Sequence, residues 1–224
     1  MNNLLVVCET IKYELQKVQT DIKYTGDIIW VNSNLHNDPD LLRSELQKII
    51  NNTTDYENVL FGYGNCGNAL VGLRAINAKL IIPKTADCIS MLLYNNHDTN
   101  EIRKNTYFFT RGWIEGEKSL VVEYDHCVSR YGEKKTKIIF NDMLKHYKNL
   151  MFIDLDAYDI DEYVNISRDL AEKVNLIFTI EKGDLTLIEK LLSQIWDDDF
   201  CIIEKGDEVK LEHFGYNIDK KKTY

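Results

Sequence analysis

The feature that most constrains the fold is a repeated alternation of short apolar runs with segments of helical periodicity. The runs are rich in Val, Ile, Leu and Phe, and in the segments after them apolar residues recur every three or four positions. This alternation is typical of parallel strands that are connected by helices. The predicted strands cover residues 4–8, 27–31, 59–62, 79–83, 107–110, 150–154, 176–180 and 200–203.

Eight predicted strands fit either a closed barrel or an open sheet. An eight-fold barrel typically takes about 250 residues, whereas this chain has 224. We therefore predict an α/β protein with one or more open, mostly parallel sheets and helices on both faces. The chain 1–224 is interpreted as a single domain, and a variant of this interpretation has two similar Rossmann-like halves, 1–105 and 106–224, that meet near residues 97–106.

Composition limits the environment and the partners. Hydrophobic residues make up 44% of the chain and there are only two prolines, as in a compact globular protein. The net charge of −9 argues against nucleic acid or an anionic membrane as a partner. No apolar stretch is long enough to cross a bilayer, and the first residues lack a basic signal region. We expect a cytoplasmic protein that binds a small-molecule substrate and neither nucleic acid nor membrane.

The third predicted strand opens into a glycine-rich loop that carries a cysteine. Gly62, Gly64 and Gly67 remove side chains where the backbone must turn sharply and approach another group. Cys66 stands at the centre of this loop, and residues 69–76 after it have helical spacing. We therefore predict a strand, a turn and a helix, with the three glycines next to a bound cofactor, because α/β sheets bind ligands at such turns.

Four potential metal ligands follow four different predicted strands. Cys8, His36, Cys66 and Cys88 each lie where a strand ends and the next connection begins. Parallel strands place their C-terminal ends at one edge of a sheet, so these side chains can converge. Thiolates with an imidazole suit a tetrahedral zinc site, and three thiolates also suit a [4Fe–4S] cluster with one open iron. The spacing contains no Cys-x-x-Cys pair of the kind that identifies a metal site directly.

Core packing is the alternative explanation for each of the five cysteines, because free cysteines are often buried. Cys127 and Cys201 lie inside apolar periodic segments and are interpreted as core residues. Cys8, Cys66 and Cys88 each stand next to a polar or glycine break, which favours a functional role. An odd number of cysteines without a secretion signal also favours thiols or metal ligands over disulfides.

Acidic residues and a histidine supply candidate acid–base groups near these cysteines. His36 is interpreted as the fourth ligand or as an acid–base residue. Asp87 directly precedes Cys88 and suits a helix cap, an acceptor that orients a ligand, or a general base. Glu9 and Glu14 can line the same edge, and a solvated helix start explains Glu9 equally well.

Two further polar groups follow strands in the second half. Arg111 and Trp113 offer a cation and an aromatic face that can bind a carboxylate or a flat ligand, or else form a packed turn. Asp154 and Asp156 suit acid–base work, a hard cation or simple loop caps.

Several of these motifs together resemble those of the family called domain of unknown function 1638 (DUF1638). The resemblance covers most of the chain, although the part after Trp113 matches loosely. Lys84 stands where the resemblance leads us to expect arginine, which weakens a bidentate anion contact there. The motifs are Cys8-Glu9, Leu35-His36-Asn37-Asp38-Pro39, Phe61 to Gly67 with Gly72-Leu73, Ile82-Pro83-Lys84, Asp87-Cys88-Ile89 and Gly112-Trp113.

The resemblance implies a setting in anaerobes and methanogens, where some members lie beside genes for corrinoid-dependent methyltransferases. We therefore expect a metal-dependent enzyme with zinc as first choice and a [4Fe–4S] cluster as second, acting in methyl or sulfur transfer of anaerobic one-carbon metabolism. One alternative is a non-catalytic accessory protein that binds a metal or a corrinoid-related ligand for a methyltransferase partner. Another alternative is a metal-free small-molecule pocket at the glycine loop.

Overall fold

A computed structural model describes residues 2–96 and 99–215 of the chain. These residues form two compact units, and each unit has its own sheet. The first unit holds 2–9, 15–91 and 185–215, and the second holds 10–14, 92–96 and 99–184. Residues 97 and 98, where the predicted junction of two halves begins, lie outside the described residues.

The first unit contains a five-stranded sheet whose strand order reverses next to the first strand. The order in the sheet is β2-β1-β3-β4-β8, and the pairs among the first four strands are parallel. The chain runs from β1 to β2 on one side and returns to β3 on the other side of β1. The last strand, β8, pairs with β4 in the antiparallel direction. The strands are β1 (Asn3–Cys8), β2 (Asp27–Val31), β3 (Asn58–Gly62), β4 (Lys79–Pro83) and β8 (Phe200–Ile203).

Helix α2 (Pro39–Asn51) shows how sequence and packing agree in this unit. Asp38 caps the helix by accepting a hydrogen bond from the amide of Leu41 at 3.0 Å. Pro39 fits the first turn because a backbone amide at that position would have no partner within the helix. Its buried side chains recur every four residues and pack on the apolar face of the sheet. These buried residues are Leu42, Leu46 and Ile50.

Three further helices precede or follow strands of the first sheet. They are α1 (Lys12–Ile22), α3 (Cys88–Leu92) and α9 (Thr186–Leu192). Short 3₁₀ helices cover Glu9–Ile11, Ser33–Asn37 and Leu211–Phe214.

The second unit contains a three-stranded parallel sheet in the order β5-β6-β7. Its core joins Phe109, Leu150 and Phe152 of the sheet to apolar residues of the helices. Gly132, at φ +75°, separates two helices. The elements are α4 (Thr99–Ile102), β5 (Thr106–Phe109), α5 (Arg111–Ile114), α6 (Leu120–Tyr131), α7 (Glu133–Met143), β6 (Asn149–Asp154), α8 (Asp161–Lys173) and β7 (Ile177–Lys182).

The structure confirms the α/β class, the mostly parallel pairing and all eight predicted strands. The helix predicted over residues 69–76 is wrong, because that segment consists of turns. Gly72 adopts φ +92°, and its amide donates to the carbonyl of Val209 at 2.8 Å. The amide of Val209 donates in return to Leu73 at 2.8 Å, so pairing with a distant segment replaces the helical hydrogen bonds. None of the helices among the described residues is long and apolar enough to cross a membrane.

The β1–β3 pair depends on a glycine that faces a buried valine. Val7 pairs with Gly62 in the parallel register, and a Cβ added at Gly62 would lie 2.5 Å from Cγ2 of Val7. We expect Gly62→Ala to lower the free energy of unfolding by about 1 to 3 kcal/mol through overpacking. Val7→Ala removes the contact with Cγ2 and leaves the one with Cβ at 2.9 Å, so the loss in the double variant should be smaller than the sum of the two single losses.

Urea unfolding of the wild type, both single variants and the double variant measures this coupling. Additive losses would show that the contact between the two side chains does not set the strand spacing.

Candidate functional site

The predicted cysteine edge lies where the strand order of the first sheet reverses. Cys8 is the last residue of β1 and pairs with Val31, and its neighbour Val7 pairs with Gly62 at the end of β3. The C-terminal ends of β1 and β3 therefore lie side by side at the switch point. In doubly wound sheets with this order, ligands bind in the crevice outside such a point.

The loop after β3 holds Cys66 in an unusual backbone conformation. Cys66, Gly67 and Asn68 have φ values of +46°, +67° and +70°, so three consecutive residues are left-handed. A residue with a side chain pays roughly 1 to 3 kcal/mol in such a region. The loop is held by Arg43 of α2, whose Nη2 donates to the carbonyl of Asn68 at 2.8 Å, and Gly67 lies against Pro39. The surroundings thus impose a strained conformation on a half-buried thiol.

Two backbone hydrogen bonds join the Cys66 loop to the loop that precedes Cys88. The amide of Asn65 donates to the carbonyl of Thr85 at 2.8 Å, and the amide of Cys66 donates to that of Ala86 at 2.9 Å. Gly64 is needed here, because a Cβ at this position would lie 2.6 Å from the backbone of the residue before Cys88. Cys66 is therefore anchored two residues from Cys88.

The buried hydroxyl of Tyr63 lies near Cys8, Cys66 and Cys88. Tyr63 is 1% exposed, so its hydroxyl is removed from water. Burial raises the pKa of this hydroxyl well above its usual value. Cys8, Cys66 and Cys88 raise it further, Cys8 by hydrogen bonding as well as by charge. Three cysteines that are far apart in the sequence are thus near enough to one buried side chain to affect its pKa.

The remaining predicted residues of this edge have defined local roles. Asp87 accepts hydrogen bonds from the amide and hydroxyl of Ser90 at 2.9 and 3.0 Å, so it caps the first turn of α3. Glu9 is exposed at the start of its 3₁₀ helix. Their predicted catalytic roles are not tested by these contacts.

His36 lies in the 3₁₀ helix before α2, and its neighbour Leu35 packs on the same core as Cys8 and Cys66. Its Nδ1 hydrogen bonds to the carbonyl of Ser33, and burial lowers the pKa of its ring. The tautomer that donates from Nδ1 carries its lone pair on Nε2, the nitrogen that a metal would bind. Its assignment as a ligand stays a prediction.

The side chains at this edge are of the types that bind a metal, but they are not arranged around one metal position. Within residues 2–96 and 99–215, no three His, Cys, Asp or Glu side chains stand in an arrangement that holds a metal ion. The donors are nevertheless thiols, which as thiolates prefer zinc and iron–sulfur clusters. The other two cysteines are core residues: Cys127 packs on the second unit's core, and Cys201 donates to the carbonyl of His213 at 2.9 Å. Burial raises the pKa of Cys201 to about 11.

A second polar cluster lies in the second unit around Arg111, the first residue of α5, two residues after the end of β5. Its guanidinium stacks over the ring of Tyr13 at 3.7 Å, and its Nε donates to Oε1 of Glu115 at 2.9 Å. Tyr163 donates to the same Glu115 oxygen at 2.7 Å, and the Tyr13 hydroxyl donates to the other oxygen. Burial alone would raise the pKa of Glu115, but these hydrogen bonds and the charge of Arg111 lower it overall.

Glu14 is fully buried beside this cluster. Its Oε1 accepts a hydrogen bond from the Tyr158 hydroxyl at 3.0 Å, while Oε2 has no hydrogen-bond partner among the described residues. The Tyr158 oxygen in turn accepts from the amide of Arg111 at 2.9 Å. Burial raises the pKa of Glu14 to about 7, against the opposing effects of its own amide, Tyr158 and Arg111.

Sequence reasoning named Arg111 and Trp113 but missed the tyrosines and Glu115 that surround the arginine. Trp113 is partly buried and packs on the second unit's core. Gly112 between them permits close packing, because an added Cβ would lie 2.2 Å from the carbonyl oxygen of Thr10. One signal was present: Glu14 falls in the apolar stripe of its helix, where a carboxylate is rare.

One comparison with known proteins gives a match. The sequence model of the family described as "Protein of unknown function (DUF1638)" matches residues 30–192. This range includes His36, Cys66, Cys88 and Arg111, whereas Cys8 and Glu14 precede it. No curated protein and no solved structure matches the chain.

The left-handed backbone of Cys66 allows a test of whether the packing of this side chain stabilises the protein. In protein freed of metal by a chelator, Cys66→Gly relieves about 1 to 2 kcal/mol of backbone strain and loses a similar amount of packing. We expect its free energy of unfolding to stay within about 1 kcal/mol of wild type. Cys88→Gly, at a buried position, should lose about 2 kcal/mol or more.

Urea unfolding of the three metal-free proteins measures these differences. Equal losses in both variants would identify Cys66 as an ordinary packing residue.

The raised pKa of Glu14 predicts a pH-dependent stability. The folded state holds the proton more tightly, so this contribution is complete below about pH 4.5 and is lost as the pH rises through about 7. The predicted loss is about 3 kcal/mol. Glu14→Gln mimics the protonated carboxyl and should lack this part of the pH dependence.

Urea midpoints of the wild type and of Glu14→Gln across this pH range give the difference. Parallel profiles for the two proteins would rule out a raised pKa at Glu14.

Proposed function

The chain belongs to the DUF1638 family, and from its own residues we propose that it is a cytoplasmic metal-dependent enzyme with a centre on Cys8, Cys66 and Cys88. The observation that carries this proposal is that Cys8, Cys66 and Cys88 follow three neighbouring parallel strands, β1, β3 and β4, with the Cys66 loop hydrogen bonded to the loop before Cys88. The ends of β1 and β3 lie at the switch point of a doubly wound sheet, where ligands bind. The strained backbone of Cys66 supports a functional role, because such strain clusters at functional sites.

The donor set favours a soft metal. Zinc is our first choice, since three thiolates leave a fourth position for His36, for water or for a substrate. A [4Fe–4S] cluster with three cysteine ligands and one open iron is the second choice, and would suit an anaerobic setting. Either metal would have to draw the sulfurs closer together than they stand in this structure.

The proposed reaction is methyl or sulfur transfer to or from a thiol. A bound metal supplies an acidic position at which a substrate thiol loses its proton near neutral pH. The chain's own residues then confine the reaction: Cys8 and Cys88 are only 5% and 6% exposed, so solvent reaches the edge mainly on the side of Cys66. In methyl transfer, the substrate sulfur forms the new bond to carbon as the donor leaves with the electron pair.

His36 has two roles within this proposal, and they differ in a measurable way. As fourth ligand it would close the site, and its replacement would lower the metal content. As an acid–base residue it would accept the thiol proton, for which its lowered pKa leaves it neutral at pH 7. His36→Ala would then keep the metal and lose activity.

The test is metal and sulfide analysis with an absorption spectrum on protein purified without oxygen. We expect about one zinc per chain without colour, or about four irons with sulfide and a brown colour. Cys8→Ser, Cys66→Ser and Cys88→Ser should each lower the metal content several-fold.

Cys127→Ser is the matched control, because Cys127 is partly buried in the second unit and should leave the metal content unchanged. Absence of metal from every preparation would overturn the proposal. Stoichiometric metal without methyl or sulfur transfer would favour the role of a non-catalytic accessory protein.

A further inference from the structure

Arg111 is held in one orientation by contacts on its face and on one edge. The Tyr13 ring covers its face at 3.7 Å, and Glu115 accepts from Nε at 2.9 Å. The rings of Tyr163 and Tyr158 lie 5.2 and 5.7 Å from the guanidinium carbon. Glu115 is itself fixed by two tyrosine hydroxyls, so it cannot follow the arginine into other rotamers. The arrangement fixes the direction of the guanidinium group.

The other edge of the guanidinium contacts no carboxylate of the described residues. Glu115 accepts from Nε, the Tyr13 hydroxyl lies within hydrogen-bonding reach of the guanidinium, and the Arg111 side chain is 30% exposed. Two parallel N–H donors at this edge match the two oxygens of a carboxylate or phosphate. A fixed guanidinium with an open edge is a preorganised anion-binding group.

A comparison within the same sheet shows that this open edge is specific to Arg111. Lys182, at the end of β7, donates to Asp154 at 2.8 Å and to Asp156 at 2.6 Å. That cation is therefore neutralised by Asp154 and Asp156, the two carboxylates for which the sequence suggested a hard cation. Of the two cations at the C-terminal ends of β5 and β7, Arg111 retains hydrogen-bonding capacity.

The position in the fold agrees with a ligand site. Arg111 lies two residues after the end of β5, and Tyr158 lies in the connection after β6, the neighbouring parallel strand. The hydrogen bond from the Arg111 amide to the Tyr158 hydroxyl joins these two connections. Connections at the C-terminal edge of parallel strands are where α/β sheets bind small molecules.

We propose that Arg111, framed by Tyr13, Tyr158 and Tyr163, binds the carboxylate group of a small-molecule ligand at this edge. The site belongs to the second unit and is independent of the cysteine edge and of any metal there. The local charge selects a monovalent anion: Glu115 already balances Arg111, and Glu14 lies buried nearby. A dianionic phosphate would meet stronger repulsion from these two acids than a carboxylate.

Titration of isotope-labelled protein with sodium benzoate, followed by amide NMR, tests this proposal. We expect saturable shifts for residues 111–115 and 158 with a dissociation constant in the millimolar range, and none with sodium chloride at equal ionic strength. Arg111→Lys keeps the charge but loses the two-donor edge, and should weaken binding about tenfold. Sodium phosphate should bind more weakly than benzoate.

Two further variants distinguish binding at Arg111 from general effects on the protein. Arg168→Lys is the matched control, because Arg168 also lies over an aromatic ring, that of Phe178 at 5.3 Å, and should leave benzoate binding unchanged. Glu115→Gln keeps an acceptor for Nε but removes the competing charge, so it should tighten binding several-fold, a gain that misfolding cannot produce. Shifts that do not saturate, binding unaffected by Arg111→Lys, or tighter binding of phosphate would each overturn the proposal.

Discussion

The close approach of neighbouring groups to Gly62 and Gly64, at the ends of β1, β3 and β4, is the constraint on which the cysteine edge depends. The side chain of Val7 fills the space beside Gly62, and the backbone of Asp87 lies only 2.6 Å from where a Cβ of residue 64 would stand. Strand spacing and loop pairing therefore decide together where the thiols stand. The cysteines contribute the chemistry, and the glycines contribute the distances between them.

The two units use the same geometric rule with different side chains. Each has parallel strands whose C-terminal ends carry the polar groups, because connections leave the sheet there. In the first unit these groups are thiols near a buried tyrosine, which suit a soft metal. In the second unit they are a guanidinium, tyrosines and carboxyls, which suit hydrogen bonding to an anion. The chain thus carries two chemically distinct edges.

The strands, and the position of Cys8, Cys66 and Cys88 after neighbouring parallel strands, could be predicted because both follow from local apolar runs and from the parallel rule. The absence of a helix over residues 69–76 could not be predicted, because it depends on the hydrogen bond from the amide of Gly72 to the distant Val209. The partnership of Glu14 with Tyr158 spans 144 positions and leaves no periodic signal. Local patterns therefore predicted the elements and the edge, whereas long-range pairs decided the exceptions and the second cluster.

The placement of β8 has a consequence for how the protein is made. The five-stranded sheet takes its last strand and its partner for the 72–73 turn from residues 200–209, whereas its other four strands all precede residue 84. The three strands of the second sheet all lie between these parts. On the ribosome, residues 99–184 emerge before β8 does. The edge of β4 that pairs with β8 therefore stays unpaired during that interval. Until residues 200–203 arrive, that edge is open to pairing with a strand of another chain.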